Sequence, residues 1–455
     1  MTRTALLAAA VAATTALAPT AARAWEPQTL AGVAERAALG SSLHRRLTEA
    51  FGRPLGLYEP LTLQVPKGDP LVERFAAVDP EGGDAPERGK QTALGWLTAG
   101  VILEGVPADR GRNHFFDPST LLGLRVGTTP FRARMAAVGQ GVGTVRGVFT
   151  GANFDGSGRA APAWVLAPRS ENEWGLARFL DERERAATAV TPAERDDALG
   201  RALLAAGAIV RVLASMGDPA HVRNDFTVAY EDERDPLGRY ALARWGRFGV
   251  PEPGTLPRPA PARLEELFHD DAGRGLADRT AWRFFSPGTL PPDATVPAVK
   301  RTDVDYVGNA EVRHLAAVTV GGATGRDRRY RLDARCHADY AERLLPEIGA
   351  YVVAALEHLF RGRLEATVSE GELHVVARDV ALGAGTLTIL GDDSEGKRTR
   401  LRAVEIASAK VGAELAKLGA PRGARRVAVV FRGVDAAGAP IVVTDELALA
   451  RPASE

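Results

Sequence analysis

Apolar residues recur with a helical period over most of the first 361 positions. Between Asp196 and Met216, Leu199, Leu203, Ala206, Val210 and Leu213 are spaced alternately by four and three, which makes one buried stripe on an amphipathic helix. A second stripe through Tyr340, Leu344, Ile348, Tyr351, Ala355 and Leu359 predicts a helix over His337–Phe360, kinked near its start by Pro346. The Arg- and Glu-rich stretch 178–197 reads as a solvated helix face carrying i,i+4 ion pairs. Residues 247–263 and 286–297 combine Pro with polar residues and read as long surface connections.

After Gly362 the period shortens to two. GELHVVARDVAL, GTLTIL, ARRVAVVFRG and APIVVTDELALA alternate apolar and polar positions, with turn signals at 383–385, 391–396 and 435–438. The expected architecture is mainly α: a multi-helix domain over 25–361, then a small β-sandwich-like domain over 362–455, with a short helix around 404–418.

The first 24 residues stand apart. Arg3 precedes the apolar run ALLAAAVAATTALA, and Ala22-Arg23-Ala24 offers a small-residue cleavage site. That pattern reads as a secretory signal peptide rather than a membrane anchor, with export and Trp25 as the new N-terminus. No other segment is expected to span a bilayer. The 57 basic and 57 acidic side chains cancel, which argues against nucleic-acid or membrane binding by bulk charge. A single Cys excludes an intrachain disulfide and Cys-rich metal sites, so a metal would need His, Asp and Glu, and only eight His are available.

Three stretches carry possible ligands. Cleavage would leave Trp25 with a free α-amine that, with its carbonyl oxygen, is able to chelate a metal; an N-terminal Trp alone means little. In GWLTAGVILEGVPADRGRNHFFDP, residues 95–118, Glu104 and His114 are joined by a loop, a donor pair that suits zinc. A capped loop with His114 packed on Phe115 and Phe116 is equally consistent. In LASMGDPAHVRNDF, residues 213–226, Pro219 stops the long helix and His221, Asn224 and Asp225 follow its end, as ligands or as a cap and turn. Asp333, Cys336 and His337 read more simply as a helix start than as a metal cluster. Asp155–Gly158 and Asp392–Ser394 are fragments of calcium loops without the remaining carboxylates. Gly139–Gly147 lacks the Lys-Ser/Thr of a nucleotide loop, and no G-x-S-x-G occurs.

Taken together, the leading Trp25, the acidic Glu104, the segment His114-Phe115-Phe116-Asp117-Pro118 and the run Ala220-His221-Val222-Arg223-Asn224-Asp225 resemble the zinc-dependent phospholipase C and single-strand-specific nuclease superfamily. The resemblance covers about 25–361, through three short blocks. It implies an exported helical fold, zinc held by Trp25, Glu104, His114 and His221, and hydrolysis of phosphodiesters. The departures are equally specific. Leu30 stands where relatives carry a His; Arg211 and Ser215 fall on a zinc His and a bridging Asp. DPLGRY, residues 235–240, replaces a downstream His-x-x-x-Glu pair. His44 is near the N-terminal segment but out of register.

Arg211 and Ser215 share a helix face, where an Arg repels a dication and a Ser supplies no charge to hold two metals. The expectation is therefore an eroded zinc site with weak or no hydrolysis. Arg211 would then pair with Glu104, or bind a phosphate or phospholipid headgroup bidentately. The alternatives are an active phosphoesterase on one or two metals held by Glu104, His114 and His221, and a surface adhesion or assembly protein using the β domain.

Overall fold

The computed structural model describes residues 25–78, 89–125, 157–225, 236–244, 258–291, 300–301, 305–321, 327–421 and 423–449. The expected signal segment (residues 1–24), Gly139–Gly147 and Asp155-Gly156 lie outside the described residues.

The helical part is built from α1 (Pro27–Leu39), α2 (Leu43–Ala50), α3 (Ala93–Leu103), α4 (Leu176–Thr188), α5 (Pro192–Ser215), α6 (Leu276–Arg283) and α7 (Ala334–Leu359), with shorter helical turns between them. Helix α5 starts sharply. Thr191 and Glu194 form a reciprocal capping box and Pro192 occupies the first turn, where a missing N–H costs nothing. Its apolar stripe is wider than the heptad-like spacing suggests, because nearly every residue from Asp197 to Ser215 is buried. Helix α5 is long and apolar enough to meet a length-and-composition test for a membrane span, but 94% of its apolar window is buried inside the fold. Neighbouring helices cover it on all sides, which makes it the core helix of the fold.

Helix α3 crosses α5 at backbone contact. A Cβ built on Gly100 would sit 2.1 Å from the carbonyl oxygen of Leu204, and one on Gly207 would sit 2.0 Å from that of Leu97. Glycine at both positions lets the two backbones meet. That crossing sets the end of α3, and hence Glu104, against the second half of α5.

The stretch 178–197 is not a solvated face. It breaks at Ala189–Thr191 into α4 and the start of α5, and Glu182, Arg183 and Asp197 are buried. Its charges face inward because α4 lies between α5 and the β domain. The i,i+4 pair Arg178–Glu182 (2.8 Å) does form. In α7, Asp333 caps the first turn by accepting from the backbone N–H groups of Arg335 and Cys336 (3.0 and 3.2 Å). Cys336 is fully buried, its thiol pushed up to about 12 chiefly by burial. Pro346 lies near the middle of the helix rather than its start.

Two small sheets interrupt the helical part. Strands β1 (Pro60–Thr62) and β2 (Lys90–Thr92) pair antiparallel. Further along, β3 (Lys300–Arg301), β4 (Tyr306–Gly308), β5 (Ala316–Gly321) and β6 (Asp327–Arg331) form a four-stranded meander in that order. Sequence patterning gave no sign of it, since the strands are short and Arg-rich and offer only a small apolar face.

The C-terminal part is a two-sheet sandwich. Its strands are β7 (Leu364–Ser369), β8 (Glu372–Ala377), β9 (Leu382–Asp392), β10 (Arg398–Ile406), β11 (Glu414–Gly419), β12 (Arg426–Asp435) and β13 (Pro440–Ala448). They are ordered β10-β9-β12-β13 in one sheet and β11-β8-β7 in the other. No helix forms over 404–418: β10 and β11 occupy its two ends, and Gly412 turns between them at φ +84°. The inner face packs Leu373, Val375, Leu387, Ile389, Val429 and Phe431. The outer face of the larger sheet adds Leu390, Ala428, Val430 and Val442 to the helical core. Burial on both faces explains the near-continuous apolar runs of β12 and β13.

Arg398 joins the two parts. Its guanidinium is fully buried, pairs bidentately with Asp392 (2.6 and 2.8 Å), reaches Glu446 (2.9 Å) and donates to the carbonyl of Ala187 at the end of α4 (2.5 Å). Asp392, a candidate calcium ligand by sequence, has both oxygens committed to this clamp. Asp393 accepts turn N–H groups of Glu395 and Lys397.

Candidate functional site

Glu104 is the last, capping residue of α3 and is 1% exposed. Oε2 accepts from Arg110 Nη2 (2.5 Å) and Oε1 from the indole N–H of Trp164 (3.0 Å). His114 Nε2 lies 3.5 Å from Oε1. Burial pushes the carboxyl up, but Arg110 outweighs it with help from His114, and the group sits at about 2, ionised. Arg110 is itself held by Asn172 Oδ1 (3.0 Å), between the rings of Trp164 and Trp174. The guanidinium that meets Glu104 is therefore that of Arg110, six residues on, and not that of Arg211 as the helix face suggested.

Arg211 and Ser215 face inward on α5, as their spacing requires. Arg211 Nη1 donates to the carbonyl of Trp25 (3.2 Å), whose ring is fully buried. Ser215 donates back to the carbonyl of Arg211 (3.0 Å), within its own helix. Leu30 is an ordinary core residue of α1, and His44 accepts from the Leu57 N–H at 3.4 Å.

After α5, Asp218 caps the turn Pro219–Val222 by accepting from Ala220 N–H (2.7 Å). His221 stacks on Phe115 with ring centres 4.1 Å apart. Its Nδ1 lies 2.8 Å from the carbonyl of His114. A carbonyl only accepts, so Nδ1 carries the proton and Nε2 keeps its lone pair. That Nε2 is buried without a hydrogen-bond partner, as are His114 Nε2 and Asp218 Oδ2. The rest of the run is structural. Arg223 donates to Thr289 Oγ1 (2.8 Å) and the Ala281 carbonyl (2.7 Å), Asn224 adopts φ +51°, and Asp225 accepts from Gly288 N–H (2.6 Å). These bonds fasten α6 and the loop after it to the site.

Arg211 acts electrostatically on His114, His221 and Asp218. With its bond to Trp25 and the His114–Glu104 contact, this ties the predicted residues into one buried polar centre. Arg110, Trp164, Asn172 and Asp218 complete it. Sequence reasoning passed over Arg110, Trp164 and Asn172, and weighed Asp218 only as part of a phosphate or calcium loop that no further ligand spacing supports; the available signal for the others was an Arg six residues after the acidic candidate.

A zinc cluster does not fit this donor set. Among the described residues no three His, Cys, Asp or Glu side chains converge as a metal site. Glu104 is clamped by two donors, Arg110 and Trp164, and a guanidinium stands beside both imidazoles. His221 alone is held as metal-binding imidazoles are, by its Nδ1–H on a carbonyl.

The two sides of the centre titrate in opposition. His221 is lowered to about 3, first by burial and then by His114 and Arg211. The unfolded chain therefore holds more protons than the folded one between about pH 6.5 and 3, and this part of the stability is lost as pH falls. Asp218 is raised to about 7, first by burial and secondarily by Asp225. Its part is lost as pH rises from about 4 through 7. The two slopes offset one another between pH 4 and 6.5. His221→Phe should leave a protein whose melting temperature falls with rising pH in that window, and Asp218→Asn one whose melting temperature rises. Each slope corresponds to about 1.4 kcal/mol per pH unit at most. Parallel melting curves for both variants and the parent would contradict the pairing.

No protein-family model and no curated protein matches the chain. Among solved structures it is similar to an alpha toxin from Clostridium absonum, with TM-score 0.35, 9% identity, and coverage of 94% of this chain and 97% of that one. It is also similar to an alpha-toxin of Clostridium perfringens from an avian strain, with TM-score 0.29, 9% identity, and coverage of 78% and 87%.

Proposed function

We propose that this chain is an exported phospholipase C-like protein whose metal pocket has become a metal-free polar core, without phosphoester hydrolysis. The observation that carries this reading is the state of Glu104. A metal would have to take a carboxylate that already neutralises a buried guanidinium, leaving Arg110 with only the longer contact to the more exposed Glu173 (3.7 Å) at a high desolvation cost. Arg211 adds a second positive charge where the zinc chemistry of the resembled superfamily needs negative ligands. What the centre does instead is join α1, α3, α5 and the His221 turn.

Phosphate or headgroup recognition by Arg211 is the binding role such a pocket retains, and Arg211→Ala should abolish it. A second reading, a phosphoesterase on a reduced one- or two-metal site, is favoured by the bare Nε2 atoms of His221 and His114. Elemental analysis of the purified, processed protein, paired with hydrolysis assays on phosphatidylcholine and single-stranded DNA, decides between them. The expected result is no stoichiometric zinc and no turnover. Stoichiometric zinc, with turnover lost in His114→Ala, would establish the second reading.

A further inference from the structure

Trp25, the residue that cleavage after Ala24 makes the N-terminus, lies in the central polar site. Its ring belongs to the helical core, and its carbonyl accepts from Arg211 Nη1 at 3.2 Å. Among the described residues its main-chain nitrogen donates to no backbone carbonyl.

The face of α5 that holds Trp25 continues past the end of the helix. Arg211, Ser215 and Asp218 are spaced by four and three. The Asp218 N–H donates to the Ser215 carbonyl (3.1 Å), so one more turn carries the same face onward. All three side chains are buried. Asp218 Oδ1 accepts from the Ala220 N–H, and Oδ2 is left without a donor. His221 Nδ1 donates to the His114 carbonyl, and the lone pair of its buried Nε2 is left likewise. Arg211, which holds the Trp25 carbonyl, also acts electrostatically on Asp218 and His221.

A buried acceptor without a donor keeps its full desolvation cost. Here two such acceptors share one centre with the start of the mature chain. A peptide nitrogen at Trp25 carries one N–H; the amine that cleavage creates carries two when neutral and three when charged. We propose that the α-amino group of processed Trp25 is the donor to Asp218 Oδ2 and His221 Nε2, so that removal of the leader completes the polar core. This role rests on the metal-free reading of the centre given above, in which no zinc competes for the amine.

Two forms of the whole mature chain provide the test: one beginning at Trp25, and one retaining Arg23-Ala24, whose Trp25 nitrogen stays a peptide nitrogen. By urea unfolding, the folding equilibrium constant of the first should exceed that of the second about tenfold. The gap should shrink in Asp218→Ala and in His221→Phe, each of which removes one acceptor. Comparing the two forms within each variant cancels the variant's own loss of stability. A second measurement needs no extended chain. An amine-acylating reagent should modify the α-amine of the folded processed protein about a hundredfold more slowly than that of the unfolded protein. Acylation at the unfolded rate, or a gap of unchanged size in both variants, would overturn the proposal. Equal stability of the two forms in zinc-free protein would overturn it and leave the metal-free reading standing. A gap that appears only with bound zinc and closes on chelation would assign the amine to a metal and overturn both.

Discussion

Glu104→Ala should destabilise the protein by about 3–5 kcal/mol, the cost of leaving a buried cation without its partner. The variant leaves the Trp164 indole N–H without an acceptor and the Arg110 guanidinium with only Asn172 and the longer Glu173 contact (3.7 Å), in a pocket where Glu104 itself is 1% exposed. Urea unfolding gives the change from the shift in midpoint. A double-mutant cycle with Arg110→Met makes the result specific. Removing both charges in Glu104→Leu/Arg110→Met should restore much of the loss, because an apolar pair of similar volume often replaces a buried ion pair at little cost. A metal ligand behaves otherwise: the loss would then follow zinc concentration and would not be relieved by changing Arg110. Additive effects of the two single changes would remove the ion pair from the account.

Arg398→Met should have an effect of similar size and a different form. It leaves the buried carboxylates of Asp392 and Glu446 with weaker partners only, Arg195 at 3.9 Å and the more exposed Arg426 at 2.8 Å. It also removes the bond to the Ala187 carbonyl that ties β10 to α4. Loss of about 3–5 kcal/mol is expected, and it falls on the junction rather than inside either part. Calorimetry of the parent should show one cooperative transition. The variant should separate into two, with the sandwich unfolding first, since its larger sheet would lose an anchor while its inner core stays intact. A single transition at the parent temperature would show that apolar contacts of Leu390, Val430 and Val442 suffice to hold the junction.

Much of this fold was legible along the chain, and for local reasons. Leu199 to Leu213 announced the core helix because side chains three and four apart share a face, and the change of period after Gly362 announced strands. The misjudgements share a cause. Stretch 178–197 looks solvated because charges usually are, and only the sandwich packed against α4 turns Arg183 and Glu182 inward. Residues 404–418 lack enough apolar pattern to choose between helix and strand, and the neighbours β9 and β8 choose strand. The meander over 300–331 is short enough that hydrogen bonding between strands, rather than periodicity, defines it.

The candidate site divides in the same way. Residue type and spacing on one helix were sufficient to put Arg211 and Ser215 on a common inward face and to weaken any case for a metal cluster, because charge and ligand chemistry belong to the side chain wherever it lies. Which guanidinium neutralises Glu104 depended on the glycine-to-glycine crossing of α3 and α5 and on the turn that returns Arg110. The tautomer of His221 depended on a carbonyl 107 residues away in the chain. Periodicity specifies which face of an element is buried; partners across elements are selected by distances of a few ångströms that only the packed chain sets.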